Sequence, residues 1–435
     1  MQEAELQLID GRLVLSRETA GLWLGLGYVR AALEKSGFKV GQPVLPGGAP
    51  QDFTDSLTEI FNNNNSGNIL FIGCHSVSLP MVLEALLRTS PCRKARKVCL
   101  GGPGTLRLSR LLMERFTFLD AVVEGAGEDA AVEIGGFWKG GPFPRSRNLV
   151  IRVGEKIIGK AMPADSAAWF DLWPYCEMPL NGSHVAPVAW SRGCDCNCLH
   201  CVVSAQNGRL QRKDLDSVMG DIHRLMTDHG IRHFDMIDDY LGGTRTAVEQ
   251  FCERAEKIDI TWNCSLRTEV IDESLAARMF SAGCRHVYIG LESACQSIRS
   301  ALGKPSPLAE ALRAVEHCRK FMSVTCSFIW GFPFESLPDF VRTLALIREL
   351  RADGVDTASS PFVPFPGSPL TAEYAGKLIY DPDLAPLALG LFDKLPEIAQ
   401  GLVRKHPDIF TAFGLLPDEN FHRKVRLYEE FQQLN

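Results

Sequence analysis

The chain has no apolar run long enough to cross a bilayer. Its longest apolar stretches, such as NILFIG (68–73) and DAVVEG (120–125), are strand-length, whereas a spanning helix needs about 20 residues. The amino-terminal MQEAELQLID is acidic and has no apolar signal core. Apart from the short RKARK at 93–97, no run rich in lysine or arginine occurs, and the net charge is −6. That combination argues against a nucleic-acid backbone as partner. Internal repeats are absent, and the only low-complexity tract is the short NNNN at 62–65. The expectation is a cytoplasmic protein with no membrane and no nucleic acid as partner.

What is present describes an ordinary globular chain. It has 435 residues, 46% hydrophobic and 23% charged, enough for two or three domains. Fourteen cysteines in a reducing compartment are expected to be thiols, metal ligands or catalytic groups rather than disulfides. Cys99, Cys264, Cys284 and Cys326 lie in or beside apolar strand-like runs and read as small buried hydrophobes.

Residues 1–136 alternate strand and helix. A strand is expected at RLVLS (12–16), a helix over LWLGLGYVRAALEKSGFKV (22–40) ending at Gly37, and strands at NILFIG, KVCLGG and LDAVVEG. Helices LPMVLEALLR and LSRLLMERF lie between them. This spacing predicts a Rossmann-like, doubly wound parallel sheet, in which ligands bind at the carboxyl ends of the strands. Three such ends carry small-residue loops: Gly73-Cys74-His75-Ser76, Gly101-Gly102-Pro103-Gly104-Thr105 and Gly125-Ala126-Gly127-Glu128. Glycine there lets a flat or bulky ligand approach the backbone, which suits a nucleotide-like or corrinoid ligand. His75 is either near that ligand or a hydrogen-bonded loop residue.

Residues 137–185 are rich in turn formers and contain a hairpin pattern, NLVIRVGEKIIGKAM (148–162). They read as a structured linker. Over 186–372, six strand candidates alternate with helices: APVAWS, IRHFDMID, ITWNCSL, CRHVYIGLES, SVTCSFIWG and VDTASSPFVPF. Six βα units in one run predict a partial (β/α)6 TIM-like barrel, with its working face at the carboxyl ends of the strands. Residues 373–435 read as a small helical appendix, with HPDIFTAF (406–413) either over the barrel mouth or in a packed pair of terminal helices.

One loop stands apart. SRGCDCNCLHC (191–201) follows the first barrel strand and holds Cys194, Cys196, Cys198 and Cys201. A structural zinc site usually draws on two distant C-x-x-C halves, and no second pair exists. Cys196 or His200 would have to complete such a site from positions cramped in sequence. Three thiolates at C-x-x-x-C-x-x-C suit a [4Fe–4S] cluster with one iron left open.

These residues resemble the signature of the radical S-adenosylmethionine (SAM) superfamily, and Ser191-Arg192-Gly193 resembles its cobalamin-binding branch. The likeness runs from about residue 20 to about 372. It implies a cluster on Cys194, Cys198 and Cys201, with SAM and cobalamin as further cofactors, and Cys196 as a bystander. It implies that Asp238 and Asp239 in IDDYLGG meet the amino group of SAM, and that Arg267 in SLRTEV meets its carboxylate. Glu292 and Ser293 in YIGLES would lie near the ribose, and Gly331 in FIWGFPFE beside the adenine. PFPGSPL (364–370) resembles the usual last-strand loop. His75, Ser76, Gly101, Gly102, Gly104, Gly125, Gly127 and Glu128 would border the corrinoid. Without the resemblance, Asp238 and Asp239 read equally as helix caps and Arg267 as the ion-pair partner of Glu269.

The D-x-H-x-x-G motif, whose histidine ligates cobalt in mutases, is absent. Either a corrinoid binds without a protein ligand or the domain has lost it. The implied activity is reductive cleavage of SAM to a 5′-deoxyadenosyl radical, used for cobalamin-dependent methylation of carbon on a small-molecule or peptide substrate. A reductant such as flavodoxin or ferredoxin would supply the electron. The alternative is a rearrangement, oxidation, cyclisation or aminocarboxypropyl transfer on the same architecture.

Overall fold

The computed structural model describes residues 6–11, 24–41, 43–44, 46, 49–62, 68–89, 96–159, 162, 170–175, 184–304, 306–384 and 395–433. The strand expected at 12–16, most of the NNNN tract, Cys92 and Cys176 lie outside the described residues.

The first sheet is built from β1 (Leu6–Gly11), β2 (Ile69–Cys74), β3 (Lys97–Gly101) and β4 (Ala121–Val123), all parallel. Val40 and Val44 bridge the outer side of β1 in parallel. The chain therefore visits the edge beside β1 before crossing back to β2, so the direction of winding reverses between β1 and β2. Ligands in open α/β sheets bind outside the carboxyl ends of the strands near such a reversal. Helices α1 (Leu24–Lys35) and α5 (Glu128–Trp138) cover one face. Helices α2 (Pro50–Asn62), α3 (Leu79–Thr89) and α4 (Ser109–Arg115) cover the other. Both faces are buried, so β2 reads as a continuous apolar run rather than an alternating one.

The hairpin at 148–162 forms as β5 (Leu149–Val153) and β6 (Lys156–Ile158). It does not stand between domains. β5 pairs antiparallel with β4 and extends the first sheet, so this part of the expected linker belongs to the first domain.

All six expected barrel strands form: β7 (Val185–Val188), β10 (His233–Met236), β11 (Thr261–Leu266), β12 (Cys284–Glu292), β13 (Ser323–Trp330) and β14 (Asp356–Pro361). Two further short strands, β8 (Ser191–Arg192) and β9 (Gln211–Arg212), lie between β7 and β10. The six are parallel, in chain order around the sheet. Burial alternates along each strand. Phe234, Trp262, Cys264, Val287, Ile289, Cys326 and Phe328 face the outer helices and are buried. Asp235, Asn263, Ser265, His286, Tyr288 and Ser327 face inward and stay partly accessible. A closed eight-stranded barrel fills its interior with bulky branched side chains; this open one keeps a polar lumen. Cys99, Cys264, Cys284 and Cys326 are all buried in the cores, as their apolar surroundings predict.

Local chemistry sets the barrel helices. After α6 (Val203–Asn207), α7 (Leu215–His229) starts where the Asp214 carboxylate accepts the Ser217 N–H at 3.1 Å and stops at left-handed Gly230. Thr244 caps α8 (Arg245–Ala255), and Asp272 caps α9 (Glu273–Ser281). Beyond α10 (Gln296–Ala301) and α11 (Leu308–Arg319), Ser336 and Asp339 form a capping box for α12 (Leu337–Ala352).

After α13 (Pro369–Tyr374), the two terminal helices α14 (Glu397–Lys405) and α15 (Phe421–Gln433) join separate cores. α14 and the HPDIFTAF segment pack into the first domain: Leu402, Val403, Phe410 and Phe413 join its core, and the His406 ring stands against Phe116 at 5.4 Å. α15 packs on the last barrel strands through Val425 and Tyr428 against Trp330. The HPDIFTAF segment also meets the last-strand loop of the barrel, where the Thr411 hydroxyl donates to the Pro364 carbonyl at 2.8 Å.

Gly104 explains itself by contact. A Cβ there would lie 2.6 Å from the His75 carbonyl carbon, and backbone cannot yield as a side chain can. Gly104→Ala is expected to destabilise the first domain by about 1–3 kcal/mol, read as a lower unfolding midpoint; an unchanged midpoint would show the two loops free to part.

Candidate functional site

Strands β8 and β9 form a two-rung antiparallel ribbon that closes the base of the cysteine loop. The approach of the ribbon dictates Gly193: its φ is +81°, and a Cβ would meet the Arg209 carbonyl at 2.5 Å. Leu199 anchors the far side, donating its N–H to Leu302 and accepting from Leu370 N–H at 3.0 Å. The loop is thus tied to the end of α10 and to the last-strand loop.

All four loop cysteines are free and half-buried. Donors point at two of them: Arg267 Nη1 lies 3.4 Å from Cys198 Sγ, and Val203 N–H lies 3.5 Å from Cys201 Sγ. Such donors stabilise thiolate, the form that ligates metal. Burial pushes the Cys201 thiol up to about 11, which makes the donors necessary. The Cys194 thiol donates to Cys196, which raises the first and lowers the second to about 7. Among the described residues no three His, Cys, Asp or Glu side chains converge on a single ion. The chemistry of the donor set, three unbridged thiols with a cationic donor aimed at one and an amide donor at another, fits a cluster.

Arg267 also pairs with Glu269 at 2.9 Å, so both readings of it hold geometrically. Glu292 is buried and adopts φ +66°, a conformation that costs a β-carbon-bearing residue about 1–3 kcal/mol. The ion pair to Lys304 at 2.9 Å holds it there, with His200 Nε2 at 3.9 Å. Burial lowers the pKa of His200. Gly331, with φ +79°, closes the neighbouring strand end, and Phe332 next to it faces the His200 ring at 6.3 Å. Cys198, Cys201, Arg267, Glu292 and Gly331 thus lie around one strand edge.

Asp238 is placed differently from the expectation. It is 2% exposed. Its carboxylate accepts the Trp190 N–H at 3.1 Å, the Ser191 N–H at 2.6 Å and the Ser191 hydroxyl. Burial raises its pKa to about 6 although these bonds lower it. Asp238 pins the base of the cysteine loop to β10 and has no capacity turned to a ligand. Ser293 is likewise internal: its hydroxyl meets Thr343 at 3.2 Å and accepts the Cys295 N–H.

Opposite this edge, a cleft of about 1110 Å³, including its open part, separates the two domains. Gly101, Gly102, Gly125, Gly127 and Glu128 line it from the first sheet; Ser191, Arg192, Ile237 and Asp239 line it from the barrel. Gly102 has φ +90° and Gly125 φ +71°, and a Cβ on Gly125 would touch the Gln206 carbonyl at 2.6 Å. A Cβ on Gly101 would meet nothing nearer than 3.9 Å, so that position opens on the cleft. Glu128 is 2% exposed; one carboxylate oxygen pairs with Arg192 at 2.6 Å and the other has no partner. The Arg192 guanidinium lies over both the Tyr28 and Phe170 rings, 4.4 and 4.6 Å from their centroids. Glycine cradle, apolar wall and an unsatisfied acceptor fit a large ligand with hydrogen-bond donors. His75, Ser76 and Gly104 do not line the cleft; Gly104 faces the His75 backbone instead.

Sequence reasoning missed the packing of Arg192 on the Tyr28 and Phe170 rings, the Glu292–Lys304 pair and the role of Glu335, whose carboxylate accepts the Gly331 N–H at 2.8 Å. Each had a signal in the sequence: Arg192 stands in S-R-G, Glu292 in YIGLES and Glu335 at the end of FIWGFPFE.

Asp239 is an exposed residue on the cleft wall, yet partial desolvation of its carboxyl there raises its pKa to about 6, above the ~3.9 of an unfolded aspartate. Its ionisation is therefore disfavoured in the fold: the penalty is absent below about pH 4, grows to about pH 6 and is complete above. Asp239→Asn is expected to raise the unfolding midpoint of cluster-free protein at about pH 7.5, with the gain vanishing near pH 4. A gain of equal size at both pH values would contradict this.

Residues 188–347 match the radical SAM superfamily. An uncharacterized methyltransferase of Pyrococcus horikoshii is 29% identical over 293 residues, 64% of this chain and 62% of that one. The anaerobic magnesium-protoporphyrin IX monomethyl ester cyclase of Rubrivivax gelatinosus is 27% identical over 301 residues, 64% of this chain and 53% of that one. The chain thus spans less than two thirds of the length of these relatives. Among solved structures, the radical SAM methyltransferase TsrM of Kitasatospora setae, with cobalamin and a [4Fe–4S] cluster bound, aligns with a TM-score of 0.66 at 17% identity, covering 86% of this chain and 78% of that one. The cobalamin-dependent SAM radical enzyme OxsB, with aqua-cobalamin bound, aligns at 0.64 and 13% identity, covering 100% and 62%. At such identities the likeness is one of fold. Residues 188–347 thus match the model of the radical SAM superfamily, and the chain shares its fold with the TsrM and OxsB structures.

Proposed function

We propose that this enzyme cleaves SAM reductively at a [4Fe–4S] cluster on Cys194, Cys198 and Cys201 and uses a corrinoid in the inter-domain cleft to methylate carbon on a small-molecule or peptide substrate. The observation that carries this reading is the facing of two edges. The glycine loops of the first sheet and the base of the cysteine loop line the same cleft. When bound, such a cluster supplies one electron to a sulfonium and a corrinoid supplies a methyl carrier.

The protein's own part is holding and shielding. Three cysteines would hold such a cluster and would leave one iron open to a ligand. Arg267, beside Cys198, presents a cation for a carboxylate. Asp239 presents a carboxyl at the rim of the cleft. Gly101 and Gly102 admit a flat macrocycle to the backbone, and Glu128 offers its free oxygen to an amide N–H. Tyr28, Leu24 and Ile237 make the wall apolar, which keeps water from a reactive intermediate. Localisation in the cytoplasm and a flavodoxin- or ferredoxin-type reductant belong to the same reading.

A second reading, cyclisation without methyl transfer, draws on the likeness to the monomethyl ester cyclase. The two part on product analysis: methyl transfer leaves a methylated product, cyclisation leaves substrate mass less hydrogen.

Anaerobically reconstituted protein is expected to bind about four irons. Cys194→Ala, Cys198→Ala and Cys201→Ala should each abolish the visible charge-transfer band, and Cys196→Ala should retain it. Loss on the Cys196 change alone would overturn the ligand set.

Gly102→Val, which puts a branched side chain at φ +90°, is expected to eject a corrinoid supplied during expression and leave the iron content intact. A parent protein that binds no corrinoid, yet acts on its substrate undiminished, would remove methyl transfer and leave the second reading.

A further inference from the structure

The carboxyl-terminal helix carries a lysine whose position no surface role explains. Lys424, on α15, has a fully buried side chain, and so does Glu335 beside it. The ammonium lies 3.2 Å from Glu335 Oε2 and donates to the Glu335 carbonyl at 2.7 Å and to Asp418 Oδ2 at 2.6 Å. All three of its donor directions are used. A buried ammonium is held only while such partners remain, and removing one member of the set leaves an uncompensated charge.

Glu335 is also the residue that shapes the end of β13. Its Oε2 accepts the Gly331 N–H at 2.8 Å, and its own N–H donates to the Phe332 carbonyl at 3.0 Å. These bonds close the Gly331–Glu335 turn. Phe332, in the middle of that turn, is buried with Leu199 of the cysteine loop and faces His200. Gly331, with φ +79°, comes within 3.8 Å of Phe421 at the start of α15. A continuous chain of contact therefore runs from Lys424 through Glu335 and Phe332 to the residue before Cys201.

We infer that Lys424 is a positioning residue: through Glu335 it sets the Gly331–Glu335 turn, and α15 is thereby a working wall of the nucleoside end of the site. This rests on the reading above that SAM binds at the cysteine loop with its adenine beside that turn. Lys424 lies 93 positions beyond Gly331, so only the folded chain brings them together.

The test uses reconstituted holoenzyme and SAM itself. SAM dissociation constants by equilibrium dialysis, iron content and the unfolding midpoint are measured for the parent, for Lys424→Met and for the double variant Lys424→Met/Glu335→Gln. The double variant removes both charges but keeps a carboxamide oxygen to accept the Gly331 N–H. Lys424→Met is expected to weaken SAM binding about tenfold or more with iron content retained, and the double variant to recover to within about threefold of the parent. SAM binding by Lys424→Met as tight as in the parent would overturn the inference. So would a double variant no better than the single one, or iron lost in step with SAM affinity, because either would mark a general loss of structure. A parent holoenzyme that binds no SAM would instead overturn the reading on which the inference rests.

Discussion

The site depends on one buried carboxylate. Asp238 stands at the carboxyl end of β10 and takes three hydrogen bonds from Trp190 and Ser191. An ionisable group so deeply buried is tolerated only because it is fully bonded. In return it fixes where β7 ends and where the cysteine loop begins. The ribbon of β8 and β9, the tight turn at Gly193 and the direction in which the thiols leave the barrel all follow from that anchor. Asp239, one residue on, points into the cleft instead, because side chains alternate where the strand runs out.

A second constraint joins the domains. The first sheet and the barrel present the carboxyl ends of their strands to each other. The contact between them is partly backbone on backbone, as at Gly125 and Gln206. Around that contact the Glu128–Arg192 pair is buried, with Arg192 packed on two aromatic rings. An ion pair in such a place adds little net stability, since desolvation offsets the Coulomb gain. It does set the relative placement of the two edges, and so the shape of the cleft. The carboxyl-terminal helices reinforce the arrangement from outside, α14 on the first domain and α15 on the barrel.

Much of this was legible in the residues. The six barrel strands follow from apolar runs punctuated by capped helices, because period and caps are local properties. The cysteine loop was legible because three ligands of one cluster come from eight residues, which leaves no long-range geometry to guess. The glycines at 101, 102, 125 and 127 were legible as small residues at strand ends, and all four line the cleft. The hairpin was visible as a hairpin, but its pairing with β4 was not, since an antiparallel edge partner leaves no mark on its own sequence.

Sequence alone determined the two-part architecture, the loop thiols and the glycine-bearing strand ends, because each is written in contiguous residues. Tertiary structure alone decided which of two adjacent aspartates is spent on the fold and which faces the cleft. It decided that Ser293 turns inward to Thr343 and that Gly104 serves the His75 backbone rather than a ligand. It also decided that Lys424 and Glu335, far apart in the chain, share one buried pair. The physical reason is the same in each case: burial of a polar group is settled by which partners surround it, and partners drawn from distant elements are defined only once those elements pack.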